Sequence, residues 1–256
     1  MSRRTDLFDA VRPFAPAGKF TESDVAAIDG LADRWSLPRA GVVAVPGVKP
    51  TPPAVVDLVA FFAGVRATFG PLTQGQVDGF NAVLKALAGW PVSWQAYALA
   101  TAWHETAKTM QPIKERGGEA YFKRMYDIEG ARPAKARELG NLTPGDGAKF
   151  PGMGFVQSTG RANARRATVE LRKRGILGPA DDLEATPHLL MRPDIAAAVL
   201  RLGMEEGWFT GKKLVDYLPR DRQGGDYVNA RRIINGTDKA AEIAAHAVKF
   251  EKALRS

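Results

Sequence analysis

Apolar side chains recur at helical spacing between Trp94 and Thr106, and neither glycine nor proline interrupts them. This pattern predicts a helix with a buried face, capped by Ser93, whose hydroxyl can accept a hydrogen bond from a free backbone N–H. Glu105 stands near the far end of this helix. A carboxylate on a buried helix is costly unless it is paired or takes part in chemistry. A solvated helix end is the simplest alternative, so the residues that follow must decide between the two.

A second carboxylate, Glu115, follows soon after Glu105. Pro112 is expected to end the first helix, and a glycine pair after it supplies a turn. The chain can therefore fold back and bring Glu115 towards Glu105 across a cleft. Two carboxylates across a groove suit glycoside hydrolysis, in which one donates a proton to the leaving oxygen and the other activates water; a gap of about 6.5–9.5 Å predicts inversion. Glu119 is an alternative partner for Glu105.

Helical spacing dominates the chain from residue 54 onwards, and alternating strand patterns are nearly absent. The expected fold class is therefore mainly α. Thr73 and Gln76 have the spacing of a capping box, and Asp238 is placed to cap the last helix. The buried stripe of that last helix should comprise Ile243, Ala247, Phe250 and Leu254. The predicted helices cover residues 55–68, 73–88, 94–108, 133–139, 160–174, 193–207 and 238–254.

The N-terminal part of the chain is predicted to form a separate small unit. Residues 6–35 and 60–87 resemble each other weakly, each with a short helix, a turn and a second helix. Residues 36–53 contain five prolines, which favour an extended linker. We therefore expect a small helical appendage at 1–35 and a main domain at 54–256.

The charge of the chain limits its partners. The net charge is +8 and the pI about 9.8, which favours binding to nucleic acid, a membrane surface or an acidic cell-wall polymer. No recognisable nucleic-acid-binding motif accompanies this charge, so nucleic acid is not the expected partner. Cysteine is absent, no run of about 20 apolar residues occurs, and the N-terminus lacks the apolar core of a secretory signal. We therefore expect a protein without disulfides that accumulates in the cytoplasm.

The block Asp146–Asn163 is rich in glycine and in short hydrogen-bonding side chains. Its glycines let the backbone approach a ligand closely. Gln157, Ser158 and Thr159 suit a sugar or a positioned water better than a phosphate, because no Gly-Lys-Ser/Thr sequence ends the block. Neither His-Glu-x-x-His nor Gly-x-Ser-x-Gly occurs in the chain, so a zinc protease and a serine hydrolase are not expected.

Three motifs occur in order along the chain: His104-Glu105-Thr106, the segment Gly-x-Gly-Phe-Val-Gln-x-Thr-Gly-Arg-Ala-Asn at 152–163, and Ile-Ile-Asn-Gly at 233–236. Together they resemble glycoside hydrolase family 19, the plant-type chitinase fold, and especially its bacteriophage endolysin branch, over residues 60–254. The resemblance implies a lysozyme-like, mostly helical fold with two lobes around a cleft. It also implies hydrolysis by inversion, without a metal or another cofactor.

The same resemblance assigns roles to individual residues. Glu105 matches the general acid, Glu115 resembles the general base, and Thr159 falls where the family helps hold the nucleophilic water. Gln157 matches the glutamine of the glycine-rich motif, and Asn235 matches a substrate-binding asparagine.

One position departs from the family pattern, because Met153 stands where an arginine is usual. Arg161 and Arg232 are the candidates to supply an arginine contact with the substrate instead. The tryptophans could line a sugar cleft, although Trp103 is expected in the core. The aromatic residues nearest in sequence to Glu115 are further candidates for stacking on a sugar: Tyr121, Phe122 and Tyr126.

These features predict a phage-type endolysin that hydrolyses the β-1,4 glycan strands of peptidoglycan. We expect a monomer that also contacts anionic wall or outer-membrane polymers electrostatically, and residues 1–35 could bind the wall or pack on the main domain. A membrane pore such as a holin would be needed for the enzyme to pass from the cytoplasm of the infected cell to the periplasm and wall. The alternatives are a chitinase acting on GlcNAc polymers and a catalytically inactive wall-binding or virion protein.

Overall fold

The residues that the structure describes, 56–220 and 224–256 of a computed structural model, fold mainly into α-helices. This confirms the expected fold class. The predicted hairpin at 1–35 and the linker at 36–53 lie outside the described residues. In chain order the α-helices are α1 (Leu58–Phe69), α2 (Gln74–Ala86), α3 (Val92–Glu105), α4 (Glu119–Tyr126), α5 (Pro133–Glu138), α6 (Asp146–Lys149), α7 (Arg161–Lys173), α8 (Pro193–Glu206) and α9 (Ala240–Leu254).

The remaining regular elements are short. Strands β1 (Ile113–Lys114) and β2 (Met153–Gly154) form a two-stranded antiparallel sheet, and 3₁₀ turns occur at Pro187–Met191, Leu214–Asp216 and Asn229–Ile233. Helices α4 and α6 are additional to those predicted, whereas the predicted helices differ from the observed ones by a few residues at their ends. None of the helices in the described ranges is long and apolar enough to cross a membrane.

Helices α1 and α2 form the hairpin that the second copy of the weak repeat predicts. Asp57 caps α1 by accepting hydrogen bonds from the N–H groups of Val59 and Ala60 at 2.9 and 3.1 Å. The predicted capping box of α2 is confirmed. The Gln76 N–H donates to Thr73 Oγ1 at 3.2 Å, and Gln76 Oε1 accepts from the Thr73 N–H at 2.8 Å. The start of each helix is therefore fixed by its own local sequence.

Helix α3 lies at the centre of the core, and every residue from Ser93 to Trp103 is buried. Helix α9 packs along α3, and α1 packs against α9. Trp103 stacks with Phe80 at a ring distance of 5.8 Å, which confirms its predicted place in the core. The prediction that Ser93 caps α3 is wrong. Pro91 takes the capping position, so Ser93 lies inside the first turn with its hydroxyl buried.

Helix α9 has the buried stripe that its sequence predicts, since Ile243, Ala247, Phe250 and Leu254 are all buried. The prediction that Asp238 caps this helix is wrong. Lys239 takes the capping position in a left-handed conformation, with φ at 58°, so Asp238 lies outside the first turn. Its backbone carbonyl accepts a hydrogen bond from Arg231 instead.

The β1–β2 sheet places Glu115 next to the glycine-rich block. Ile113 pairs with Gly154 and Lys114 with Met153 in an antiparallel register. Met153 is 4% exposed and belongs to the hydrophobic core. A methionine is compatible with that environment, because its side chain fills apolar gaps without needing a polar partner.

Asp127 fixes the end of α4, which carries Tyr126 to the same region. The buried carboxylate of Asp127 accepts hydrogen bonds from the N–H groups of Gly145 at 2.8 Å, Gly147 at 3.0 Å and Glu129 at 3.2 Å. Burial opposes ionisation, but these N–H groups outweigh it and lower the pKa of Asp127. The carboxylate therefore remains a charged acceptor that joins α4 to α6.

Candidate active site

A cleft of about 790 Å³ contains both predicted carboxylates, Glu105 and Glu115. The prediction that the chain folds back to place them in one cleft is confirmed, while their catalytic roles stay predictions. Three other predicted site residues line the same cleft: Gln157, Thr159 and Asn235. The lining comes from the ends of α3 and α4, the β1–β2 sheet, the glycine-rich block, α5, α7 and the segments that follow α8 and the last 3₁₀ turn.

Glu105 is the last residue of α3, and its side chain is 15% exposed. The C-terminal end of a helix is the negative end of its dipole, so a carboxylate held there requires a nearby cation. Arg231, which is 3% exposed, supplies it: Nη1 donates to Glu105 Oε1 at 2.5 Å. Arg231 Nε also donates to the Asp238 carbonyl at 3.0 Å, which fixes the guanidinium.

Sequence reasoning did not identify Arg231. The position of Glu105 at a helix end indicates the need for a cation, but nothing in the sequence distinguishes Arg231 from its neighbour Arg232. The 3₁₀ turn Asn229–Ile233 makes the difference, because it buries Arg231 and leaves Arg232 exposed.

The chain reverses direction immediately after Glu105, seven residues before Pro112, so the prediction that Pro112 ends this helix is wrong. The Lys108 N–H donates to the Trp103 carbonyl at 2.7 Å, and the Ala107 N–H donates to the His104 carbonyl at 3.0 Å. These two bonds form a Schellman motif. Glycine usually occupies the left-handed position of this motif. Here Ala107 occupies it, with φ at 50°, so the sequence carries no signal for the end of α3.

Three non-glycine residues within this reversal have positive φ angles, Ala107 at 50°, Lys108 at 68° and Met110 at 50°. Each costs about 1–2 kcal/mol in an L-residue. Thr106 helps to hold them, because its Oγ1 donates to the Ala102 carbonyl at 2.7 Å and accepts from the Met110 N–H at 3.0 Å. The backbone next to Glu105 is therefore strained and fixed by specific contacts.

Helix α2 packs against the chain reversal that follows Glu105. Gln76, a member of the α2 capping box, donates from Nε2 to the Lys108 carbonyl at 2.9 Å. Gln111 Nε2 donates in the other direction, to the Gly75 carbonyl. Gly79 lies against the Met110 carbonyl so closely that a Cβ atom there would be 1.6 Å from its oxygen. The position of Glu105 therefore depends on close contact between α2 and the reversal.

Glu115 is held by hydrogen bonds to both carboxylate oxygens. The Tyr126 hydroxyl donates to Oε1 at 2.9 Å and the Gly152 N–H donates to Oε2 at 3.2 Å. The Tyr121 hydroxyl lies 3.5 Å from Oε1, at the limit of a hydrogen bond. Burial and the adjacent Glu115 carboxylate raise the pKa of Tyr126 above its usual range. Tyr126 therefore keeps its proton at neutral pH and remains a donor to Glu115.

The glycine-rich block supplies the floor of the cleft beside Glu115. Gln157, with φ at 51°, donates from Nε2 to the carbonyls of Ile113 at 2.9 Å and Gly154 at 3.2 Å. These bonds link the two strands of the β1–β2 sheet. Thr159 Oγ1 donates to the Gln157 carbonyl at 2.9 Å, and its oxygen can still accept a hydrogen bond. Asn235 is exposed at the cleft, and its side chain makes no hydrogen bond to any other residue in the described ranges.

The structure does not bring Arg161 or Arg232 into the lining of the cleft. Arg161 donates to Asp146 Oδ2 and to Glu184 Oε1, each at 2.9 Å, and so joins α6, α7 and the loop before α8. Arg232 is exposed and donates to Asn229 Oδ1 at 3.3 Å. Neither arginine is therefore placed to contact a ligand in this cleft, and their assignment to substrate binding stays a prediction that the structure does not support.

Two further candidates lie at the edge of the site. Glu119 begins α4, is exposed and does not line the cleft, so the structure favours Glu115 over Glu119 as the partner of Glu105. Tyr121 is 36% exposed and also lies outside the cleft lining, although its hydroxyl approaches Glu115. Within residues 56–220 and 224–256, no group of three or more acidic or histidine side chains is arranged to hold a metal ion.

The cleft also contains positive side chains and an aromatic ring. Lys135 Nζ pairs with Glu138 Oε1 at 2.7 Å, and both line the cleft. The other two cations in the lining are Arg116 and Arg166, neither of which was a candidate for substrate binding from the sequence. Trp208 lines the cleft too, and the Arg166 guanidinium lies 5.5 Å from its ring centre.

Glu184 provides a prediction for the network around Arg161. Hydrogen bonds from Arg165 and Arg161 lower the pKa of Glu184 from 4.5 to about 2. Its ionised form therefore stabilises the fold above pH 4.5, and this contribution is lost as the pH falls to about 2. We expect Glu184→Gln to lower the free energy of unfolding by about 1 kcal/mol at neutral pH, measured by chemical denaturation.

The difference between wild type and Glu184→Gln should shrink as the pH falls from 4.5 to 2. Glu119→Gln serves as the control, because in the described part of the chain Glu119 has no ion-pair partner, so its effect should be smaller. A difference for Glu184→Gln that does not change with pH would contradict this account of the network.

Two solved structures resemble the fold. The crystal structure of chitinase C from Streptomyces griseus matches with a TM-score of 0.52 and 16% sequence identity, covering 85% of this chain and 82% of that one. A Glu-to-Gln mutant of chitinase C matches with a TM-score of 0.51 and 18% identity, covering 86% and 85%. No protein-family model and no curated protein matches the sequence. At these identities the likeness shows the fold: a mainly helical chain of the same architecture as chitinase C.

Proposed function

We propose that the protein is a glycoside hydrolase that cleaves β-1,4 bonds in the glycan strands of peptidoglycan, as a phage-type endolysin. The observation that carries this proposal is the pair of fixed carboxylates in one cleft, Glu105 held by Arg231 and Glu115 held by Tyr126 and Gly152. The fold shared with a chitinase supports glycoside hydrolysis as the chemistry.

In this proposal Glu105 protonates the glycosidic oxygen, and Glu115 takes a proton from the attacking water. Arg231 then faces the carboxylate that Glu105 becomes after it has donated its proton, and so stabilises the product of that step. Thr159 can accept a hydrogen bond from the water, and the exposed amide of Asn235 can bind a sugar hydroxyl. Gln157 stabilises the β1–β2 sheet next to Glu115.

Chitin is the second candidate substrate, because both similar structures are of a chitinase. The chemistry would be the same, and only the side groups of the polymer would differ. A catalytically inactive wall-binding protein is a weaker alternative, since two carboxylates held in one cleft have no evident purpose in binding alone.

The proposed biological setting follows from this activity. The enzyme would act as a monomer on peptidoglycan strands after passing from the cytoplasm of an infected bacterium through a pore such as a holin. The net charge of +8 would favour contact with anionic polymers of the wall or outer membrane.

Mass spectrometry of purified peptidoglycan digested by the full chain tests the proposal. We expect fragments with new reducing ends, and the sugar at that end would identify the bond that is cut. Anhydro-sugar ends would contradict hydrolysis and the role of Glu115 in activating water. Release of sugars from chitin oligomers but not from peptidoglycan would replace the proposed function with chitinase activity.

A further inference from the structure

Two arginines in the cleft have no carboxylate partner within the part of the chain that the structure describes. Arg116 and Arg166 both line the cleft and are exposed, and neither forms an ion pair or a side-chain hydrogen bond with another described residue. Other arginines of α7 are paired within the protein. Arg161 and Arg165 bind Glu184, and Arg172 binds Asp182. The unpaired guanidinium of Arg166 therefore contrasts with its neighbours on the same helix.

The other charged side chains described in the cleft already have hydrogen-bond partners within the protein. Glu105 is paired with Arg231, and Lys135 is paired with Glu138. Glu115 accepts hydrogen bonds from neutral donors. Arg116 and Arg166 thus carry positive charges, and neither guanidinium is bonded to a side chain of the cleft lining. Enclosing such a charge beneath a neutral polymer would cost free energy without a compensating contact.

The surroundings of Arg166 also fix the orientation of its guanidinium. Arg166 shares the cleft face of α7 with Ala162 and Asn163, one helical turn earlier. Its guanidinium lies over the ring of Trp208, which is 6% exposed and donates from Nε1 to Glu206 Oε2 at 2.9 Å. An arginine that packs on an anchored ring still presents N–H groups at its edge, and this planar edge suits a carboxylate.

Arg116 brings a second positive charge to the cleft lining and directly follows Glu115 in the chain. We propose that Arg166, packed on Trp208, together with Arg116 binds a carboxylate carried by the substrate, so that the cleft selects an acidic glycan over a neutral one. This inference rests on the proposed function. In peptidoglycan the carboxylate belongs to the attached peptide or, on a sugar that carries no peptide, to the lactyl group, and both sources offer the same chemistry.

The test compares Arg166→Gln and Arg116→Gln with wild type on three substrates: intact peptidoglycan, glycan strands stripped of peptide, and stripped strands with their carboxyl groups reduced to alcohols. Arg124→Gln is the control, because Arg124 is an exposed arginine of α4 outside the cleft lining. A charge-assisted hydrogen bond to a carboxylate corresponds to about a tenfold effect or more. We expect kcat/KM on charged strands to fall about tenfold for Arg166→Gln, chiefly through KM, and to stay within about twofold on the reduced strands.

The three substrates separate the possible outcomes. In intact strands the lactyl carboxyl is bound to the peptide as an amide, so a loss on peptide-stripped strands alone supports recognition of the lactyl carboxylate. A loss on intact strands alone supports recognition of a peptide carboxylate, and a loss on both means that the site accepts either. Equal losses on charged and reduced strands, or no loss for either variant, would overturn the inference while leaving the proposed hydrolysis in place. Absence of any product from wild type on all three substrates would instead refute the proposed function. Thermal unfolding of each variant confirms that it is folded during the assay.

Discussion

Replacing Glu105 with glutamine is expected to lower the rate of glycan hydrolysis by about 10³-fold, because the amide cannot donate the proton that the leaving oxygen requires. Glutamine has nearly the same size as glutamate, and its carbonyl oxygen can still accept a hydrogen bond from Arg231. The substitution does leave the buried guanidinium without its anion. We therefore also expect the free energy of unfolding to fall by about 1–3 kcal/mol, and circular dichroism should show that the variant remains folded at the assay temperature.

Release of reducing sugars from peptidoglycan strands measures this effect, with two other glutamates in the same assay. Glu115→Gln should also reduce turnover strongly, because the base that activates water is lost. Glu119→Gln should leave turnover unchanged, since Glu119 is exposed and lies outside the cleft lining. Near-wild-type hydrolysis by folded Glu105→Gln would remove this residue from the mechanism, and a strong loss for Glu119→Gln would mean that the wrong partner has been assigned.

The sequence predicts those features of the fold that depend on local chemistry. The Thr73–Gln76 capping box and the buried stripe of α9 are examples, because helical spacing and hydrogen bonding over three or four residues determine them. The meeting of Glu105 and Glu115 in one cleft is also predictable, since it requires only that the chain turn back between them. The first motif that carries the resemblance to a known family contains Glu105, whereas Glu115 lies outside all three motifs.

The sequence does not reveal contacts between residues that are far apart in the chain. Arg231 meets Glu105 across 126 positions of sequence, and its inward orientation depends on a 3₁₀ turn that has no distinctive pattern. Arg161 lies within a promising motif, yet Asp146 and Glu184 bind its donors inside the protein. The end of α3 is missed for a different reason, because Ala107 occupies a left-handed position that sequence patterns associate with glycine.

The second large effect is expected for a substitution of Gly79, which contacts the chain reversal after Glu105. A methyl group on Gly79 would lie 1.6 Å from the Met110 carbonyl oxygen and 2.7 Å from its carbon. Helix α2 and the reversal would have to separate to admit it, although alanine favours a helix more than glycine does by about 1 kcal/mol. Forced overpacking outweighs that gain, so we expect Gly79→Ala to lower the free energy of unfolding by about 3 kcal/mol.

The same substitution should also lower catalysis in the fraction that remains folded. Displacing the reversal moves the backbone next to Glu105, and a shift of about 1 Å at a catalytic group can reduce turnover by up to about 10²-fold. Gly75→Ala, on the same helix, is the matched control, because its added methyl group would approach Gln111 no closer than 3.8 Å. We expect that variant to be as stable as wild type or up to about 1 kcal/mol more stable, with unchanged turnover. If Gly79→Ala and Gly75→Ala behave alike in chemical denaturation and in hydrolysis, close contact between α2 and the reversal does not position Glu105.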